Sequence, residues 1–188
     1  PLHRIGRQIG EVLAIHRSWK PERIRVRVAE LLHEVGMADH ERFIRAFPHQ
    51  LSGGQRQRAM LAMALANEPD VLIADEPTTA LDAEVQQQVV ELLLRLREAR
   101  GLSMLVISHD LPMMHRLADR ICVMRQGEVV EHGPAAQIFG APRHSYTRLL
   151  MDTGTDESAP EPEADSAPVI EVHGLNVTYP VGTNWLGR

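Results

Sequence analysis

The chain has 188 residues, of which 44% are hydrophobic and 24% charged, and its net charge is −5. This balance fits an ordinary water-facing globular protein. Its acidic sign argues against a nucleic-acid partner, and its longest apolar run, 60–66, is far too short to span a bilayer. The opening PLHRIGRQIG lacks the apolar core of a signal peptide. The single Cys122, in the apolar run ICVM, reads as a small buried hydrophobe. It cannot form an internal disulfide, so a cytosolic setting is expected.

In chain order, Ile5, Ile9, Val12 and Leu13 predict an amphipathic helix over 5–16. Pro21 opens a second helix that runs to about residue 35 and stops at Gly36. A short helix follows at 41–46, ended by Pro48. A helix over 55–66 is closed by Asn67 and Pro69. The wholly apolar run 71–74 predicts a strand covered on both faces, as in a parallel sheet. A long helix over 83–100, ended by Gly101, leads to a second buried strand at 104–108, and the pair should form a right-handed parallel crossover. A short helix at 110–118 precedes a hairpin of 121–124 and 128–131. Residues 152–168 carry six acids and no base and read as a solvated linker. An alternating pattern restarts at 169–173 and 176–180. The Arg-rich stretch 23–27 reads as a solvated helical face.

Three blocks carry chemistry. The first is LSGGQRQR at 51–58, where Ser52 can cap a helix. Gly53 and Gly54 let backbone N–H groups approach an anion, and Gln55 completes the turn. The second is VLIADEPTTALD at 71–82. Asp75, at the carboxyl end of a strand, can hold Mg²⁺ through water, and Glu76 can polarise an attacking water. Asp82 sits in a turn and reads equally as a plain helix cap. The third is SHD at 108–110, where His109 can bond a γ-phosphate and keep Glu76 and the water in line. The other histidines form no HxxxH or HExxH pair, so no histidine metal site is expected. The pattern GxxxxGK(S/T), whose Lys and backbone N–H groups grip phosphates, is not found, and Lys20 in SWKPER is the sole lysine.

In this order and spacing the blocks resemble the ATP-binding subunits of ABC transporters. PHQLSGGQRQR at 48–58, EPTTALD at 76–82, SHDL at 108–111 and ADRICVMRQGEVVEHGP at 118–134 are similar, more narrowly, to the peptide/nickel importer group. PRHSYTRLLM at 142–151 resembles that group's C-terminal P.HPYT..LL element, with Ser145 where Pro is usual. VIEVHGLNVTYPVGTNWLGR at 169–188 looks like the opening of another such subunit, with Tyr179 where the family's adenine-stacking aromatic sits.

The resemblance implies an α/β fold, the C-terminal part of an ABC cassette. Residues 1–66 would be the helical subdomain with the signature, and 67–133 the RecA-like part. The importer element would follow at 134–151, a flexible linker at 152–168 and a second cassette from 169. It implies ATP and Mg²⁺ as cofactors and ATP hydrolysis that drives import of peptide-like solutes at the cytoplasmic face of a membrane. Transmembrane permease subunits, a second cassette and, indirectly, a solute-binding protein would be its partners, with no nucleic acid. Two cassettes would sandwich two ATPs, so that Ser52, Gly53, Gly54 and Gln55 serve the partner's ATP while Asp75, Glu76 and His109 serve the chain's own. The Cys residues that hold an iron–sulfur cluster in some members do not follow the C-terminal element, so no cluster is expected. Without its phosphate loop the chain reads as the back part of an ATPase, expected to be inactive by itself. An ATPase of DNA maintenance is the alternative, but the sequence carries neither long coiled coils nor a DNA-binding insert.

Overall fold

The computed structural model describes residues 2–153 and 173–176. Helices dominate the first third. α1 (Ile5–His16) buries Ile5, Ile9 and Leu13, one face at a spacing of four. It packs on α2 (Pro21–Glu34), which turns Val28, Leu31 and Leu32 inward, and on α3 (His40–Arg45), which contributes Phe43. Pro21 sits in the first turn of α2, where its missing N–H is no loss. Asp39 caps α3 by accepting from Arg42 N–H at 3.3 Å. α4 (Gly53–Ala64) closes this layer and packs against α5 (Ala83–Arg100), which buries Val89, Val90, Leu92, Leu93 and Leu96. One apolar core runs from α1 through α5 to Met113 and Leu117 of α6 (Leu111–Leu117). Each such buried Leu or Ile contributes about 1.5–3 kcal/mol.

The Arg-rich stretch of α2 is solvated as expected at Arg23 and Arg25 but not at Arg27. Arg27 is 14% exposed, not solvated. Its guanidinium meets Glu30 at 3.0 Å, Glu34 at 3.1 Å and Glu68 at 3.5 Å. Arg17 also pairs with Glu68, at 3.3 Å, and Arg100, at the end of α5, pairs with Glu34. Close helix packing encloses Arg27, and a half-enclosed charge needs partners. The glutamates one and two turns on along α2 and just past the end of α4 supply them.

β1 (Val71–Asp75) and β2 (Ser103–Ile107) pair in parallel, with Val71 opposite Ser103 and Asp75 opposite Ile107. α5 connects them. Leu72 and Ala74 are buried, whereas Val71, Ile73, Leu105 and Ile107 are 49–65% exposed. The expectation of strands covered on both faces is therefore met on one face only. Among the described residues the helical layer lies on one side of this two-stranded sheet, and alternate side chains point away from it.

β3 (Arg120–Arg125) and β4 (Glu128–Pro134) form the expected antiparallel hairpin, longer at its open end. Gln126 and Gly127 both have positive φ, 51° and 84°, which suits the twist of a two-residue hairpin turn. Cys122 is exposed, not buried. It occupies the outward side of β3, and its neighbour Val123 takes the inward place. α7 (Ala135–Gly140) packs on the hairpin, and the Phe139 ring meets His115 of α6 edge-on at 4.7 Å.

The last element, α8 (Ser145–Thr153), is anchored by one carboxylate. Glu131 of β4 accepts from the N–H groups of Arg143 at 2.8 Å and His144 at 3.0 Å. The buried Thr147 hydroxyl lies beside the same carboxylate without a well-formed hydrogen bond, and its influence is nonetheless the largest in lowering Glu131, from an ordinary 4.5 to about 2. Arg125 lies 4.8 Å from the Tyr146 ring centre. A carboxyl depressed by folding stabilises above its unfolded pKa and loses that effect as pH falls through its folded one. The α8 anchor should thus be intact above about pH 4.5 and release progressively toward pH 2. Protection factors of the 143–152 amides, measured against the intrinsic exchange rate at each pH, should fall over that window in the native protein. In Glu131→Gln they should be low already at pH 7.

Candidate active site

The N-terminus of α4 is a reciprocal capping box. Ser52 Oγ accepts from Gln55 N–H at 3.3 Å, and Gln55 Oε1 accepts from Ser52 N–H at 3.1 Å. The N–H groups of Gly53 and Gly54 belong to the first turn, which an α-helix leaves without internal partners. They and the Ser52 hydroxyl proton form an anion-ready end. The glycines have a second cause that sequence reasoning missed. A Cβ on Gly53 would lie 3.0 Å from Leu81 Cδ2, and one on Gly54 would collide with Val85 Cγ1. The signature turn is thus pressed against the Leu81 turn and the start of α5. Asp82 caps α5 by accepting from Val85 N–H at 3.0 Å, so its helix-cap role is realised.

At the carboxyl end of β1, Asp75 is exposed and Glu76 adopts φ 48°, a strained value for a residue with a side chain. Backbone bonds fix it there. Glu76 N–H donates to Ile107 carbonyl at 2.8 Å, and Thr79 N–H donates to Glu76 carbonyl at 3.2 Å. The side chain is pinned at both oxygens. His109 Nδ1 meets Oε1 at 2.9 Å, and Thr79 Oγ1 donates to Oε2 at 2.8 Å. His109 foremost, then Thr79, hold the Glu76 carboxyl below the usual carboxylate range. In turn, the hydrogen bond and charge of Glu76 raise His109, favouring an imidazolium whose Nε2–H is left to donate outward. Ser108 Oγ accepts from Asp110 N–H at 3.0 Å, and Asp110 caps α6 by accepting from Met113 N–H at 2.9 Å. These two bonds set where His109 stands.

The structure thus joins Glu76 to His109 at the end of the parallel pair, beside Asp75. It places Ser52–Gln55 against the Asp82 turn. Tyr179 lies outside the described residues. Among the described residues no cluster of three His, Cys, Asp or Glu could enclose a metal. A lone exposed carboxylate such as Asp75 suits Mg²⁺, which keeps several waters and takes other ligands from phosphates.

Residues 4–79 match the ABC transporter family model. Over that stretch the chain is similar to the ABC transporter family. The Agrobacterium fabrum protein named Peptidoglycan transport ATP-binding protein YejF is 47% identical to this chain over 188 residues, 100% of the chain and 34% of the relative. The Lactococcus lactis Oligopeptide transport ATP-binding protein OppD (strain SK11) is 44% identical over 151 residues, 80% of the chain and 45% of the relative. The chain therefore spans only about a third of the YejF relatives. Among solved structures, the dimeric post-hydrolysis state of the ATP-binding cassette MJ0796 bound to ADP and Pi superposes with a TM-score of 0.63 at 33% identity. That match covers 72% of this chain and 58% of the cassette. The expected α/β cassette fold is borne out.

Proposed function

We propose that the full-length protein containing this chain hydrolyses ATP at the cytoplasmic face of a membrane to power import of peptide-like solutes. The observation that carries this reading is the Glu76–His109 pair beside Asp75 at the ends of two parallel strands. Glu76 is the general base toward water, and His109 orients it and donates to the γ-phosphate. Asp75 holds Mg²⁺ through water, and the ion supplies charge neutralisation at the phosphates. Ser52, Gly53, Gly54 and Gln55 present their helix end to the nucleotide of a facing cassette, and Asp82 borders that interface. The dimeric, ADP-bound state of the solved neighbour supports this pairing.

The facing cassette is proposed to lie in the same protein, with Tyr179 stacking on its adenine, beyond a linker that starts later than expected: Asp152 and Thr153 belong to α8, and residues 154–168 lie outside the described residues. Support comes from the relatives. The YejF alignment continues through all 188 residues, whereas the OppD alignment spans 151. Since 188 residues are 34% of YejF and 151 are 45% of OppD, YejF is the longer protein by more than half. No helix among the described residues is long and apolar enough to cross a membrane, so permease subunits are the proposed transmembrane partners. The helical layer at 1–66 would meet them, with a solute-binding protein acting on the far side. The test is uptake. Cells deleted for the gene should lose ATP-dependent uptake of labelled peptides, and the wild-type gene should restore it while the Glu76→Gln gene does not. Unchanged peptide uptake on deletion would refute the solute class.

A further inference from the structure

Two donors reach the Glu76 carboxylate, and only one belongs to the expected machinery. The other is Thr79. Its neighbour Thr78 is buried, 2% exposed, and spends its hydroxyl on Met113 Sδ at 3.8 Å. Thr79 is exposed, so its hydroxyl could be satisfied by water alone. The turn does not need it either, because Thr79 N–H already closes the loop onto the Glu76 carbonyl at 3.2 Å. Nevertheless the hydroxyl lies 2.8 Å from Oε2. The strained φ of Glu76 fixes the direction of its Cβ but leaves the side-chain torsions free. A bond from His109 to Oε1 alone would still let the carboxylate plane swing about that contact. A second donor on Oε2 removes this rotation.

We propose that Thr79 is a positioning residue that, together with His109 on the other oxygen, orients the Glu76 carboxylate for attack by water. The proposal rests on the reading of Glu76 as the base. Positioning acts on the reacting geometry and not on nucleotide affinity.

The test is steady-state ATP hydrolysis by the full-length protein. Thr79→Val, nearly the same in shape, should lower kcat about tenfold, the rate equivalent of one hydrogen bond to a charged group. KM for ATP should stay unchanged. Thr79→Ser, which restores only the hydroxyl, should recover the wild-type kcat. In a Glu76→Gln background, Thr79→Val should slow the residual rate no further, because the group it orients is gone. A wild-type kcat in Thr79→Val, a Thr79→Ser as slow as Thr79→Val, or an undiminished tenfold loss in the Glu76→Gln background would each overturn the role of Thr79. A Glu76→Gln protein with normal turnover would overturn the base assignment, and Thr79's role with it. That outcome is distinct from an inactive Glu76→Gln beside a normal Thr79→Val.

Discussion

Glu76→Gln in the full-length protein should lower ATP hydrolysis by about 10²–10⁴, the range for loss of a general base, while ATP stays bound. The amide keeps the length and shape of the carboxylate. It can still accept from Thr79 at one end, so the turn that follows β1 should survive. It cannot take a proton from water. It also removes the negative charge that raises His109, so the imidazole beside it should be neutral more of the time. Binding should persist because Glu76 itself makes no phosphate contact in the proposed site, while the backbone N–H groups and the cation would still hold the nucleotide. Single-turnover kinetics with labelled ATP separate the two effects: retained label with slow phosphate release is the expected result. Fast release would show that another group takes the proton.

The second large effect concerns packing. Gly54→Ala should destabilise the protein by about 1–3 kcal/mol, the usual range for an extra methyl forced into a filled contact. The new methyl meets Val85 Cγ1, so either the signature turn or the start of α5 must move. Alanine is a better helix former than glycine by up to about 1 kcal/mol, which works against the clash and makes the sign of the measurement informative. Trimming the other side should relieve it. Gly54→Ala combined with Val85→Ala should recover most of the lost stability, giving a large coupling in denaturant unfolding. Equal losses with and without Val85→Ala would mean that the loss does not come from the Val85 contact.

Periodicity made much of the fold legible. α1 and α5 have the bounds expected from their apolar spacing, and α5 stops where Gly101 takes φ 63°. α4 begins two residues earlier than residue 55. Two glycines are poor helix formers, and the reciprocal Ser52–Gln55 cap, a pairing of side chains with backbone, holds them helical. α7 is six residues long, too short to show a period. The site was legible to the extent that it is written in consecutive residues: Asp75, Glu76 and His109 stand at strand ends as their apolar approaches imply. What was not legible depends on distant parts of the chain. Val85 against Gly54, Glu131 beneath residues 143 and 144, and Glu34 and Glu68 around Arg27 leave no local trace in sequence. Thr79 lies three residues from Glu76, yet a threonine in a turn carries no sign of which acceptor it will choose.

α5 has a mechanical consequence. Its 18 residues make a strut about 27 Å long. One end abuts the signature turn through Val85, and the other is clamped to α2 through Arg100 and Glu34. A rod loaded at both ends does not shorten. In the proposed cassette pair, a push delivered at Gly54 would be carried along α5 toward Gly101, where the chain enters β2, and β2 leads directly to His109. Such a strut would let contact at the signature turn bear on the imidazole that attends the chain's own site.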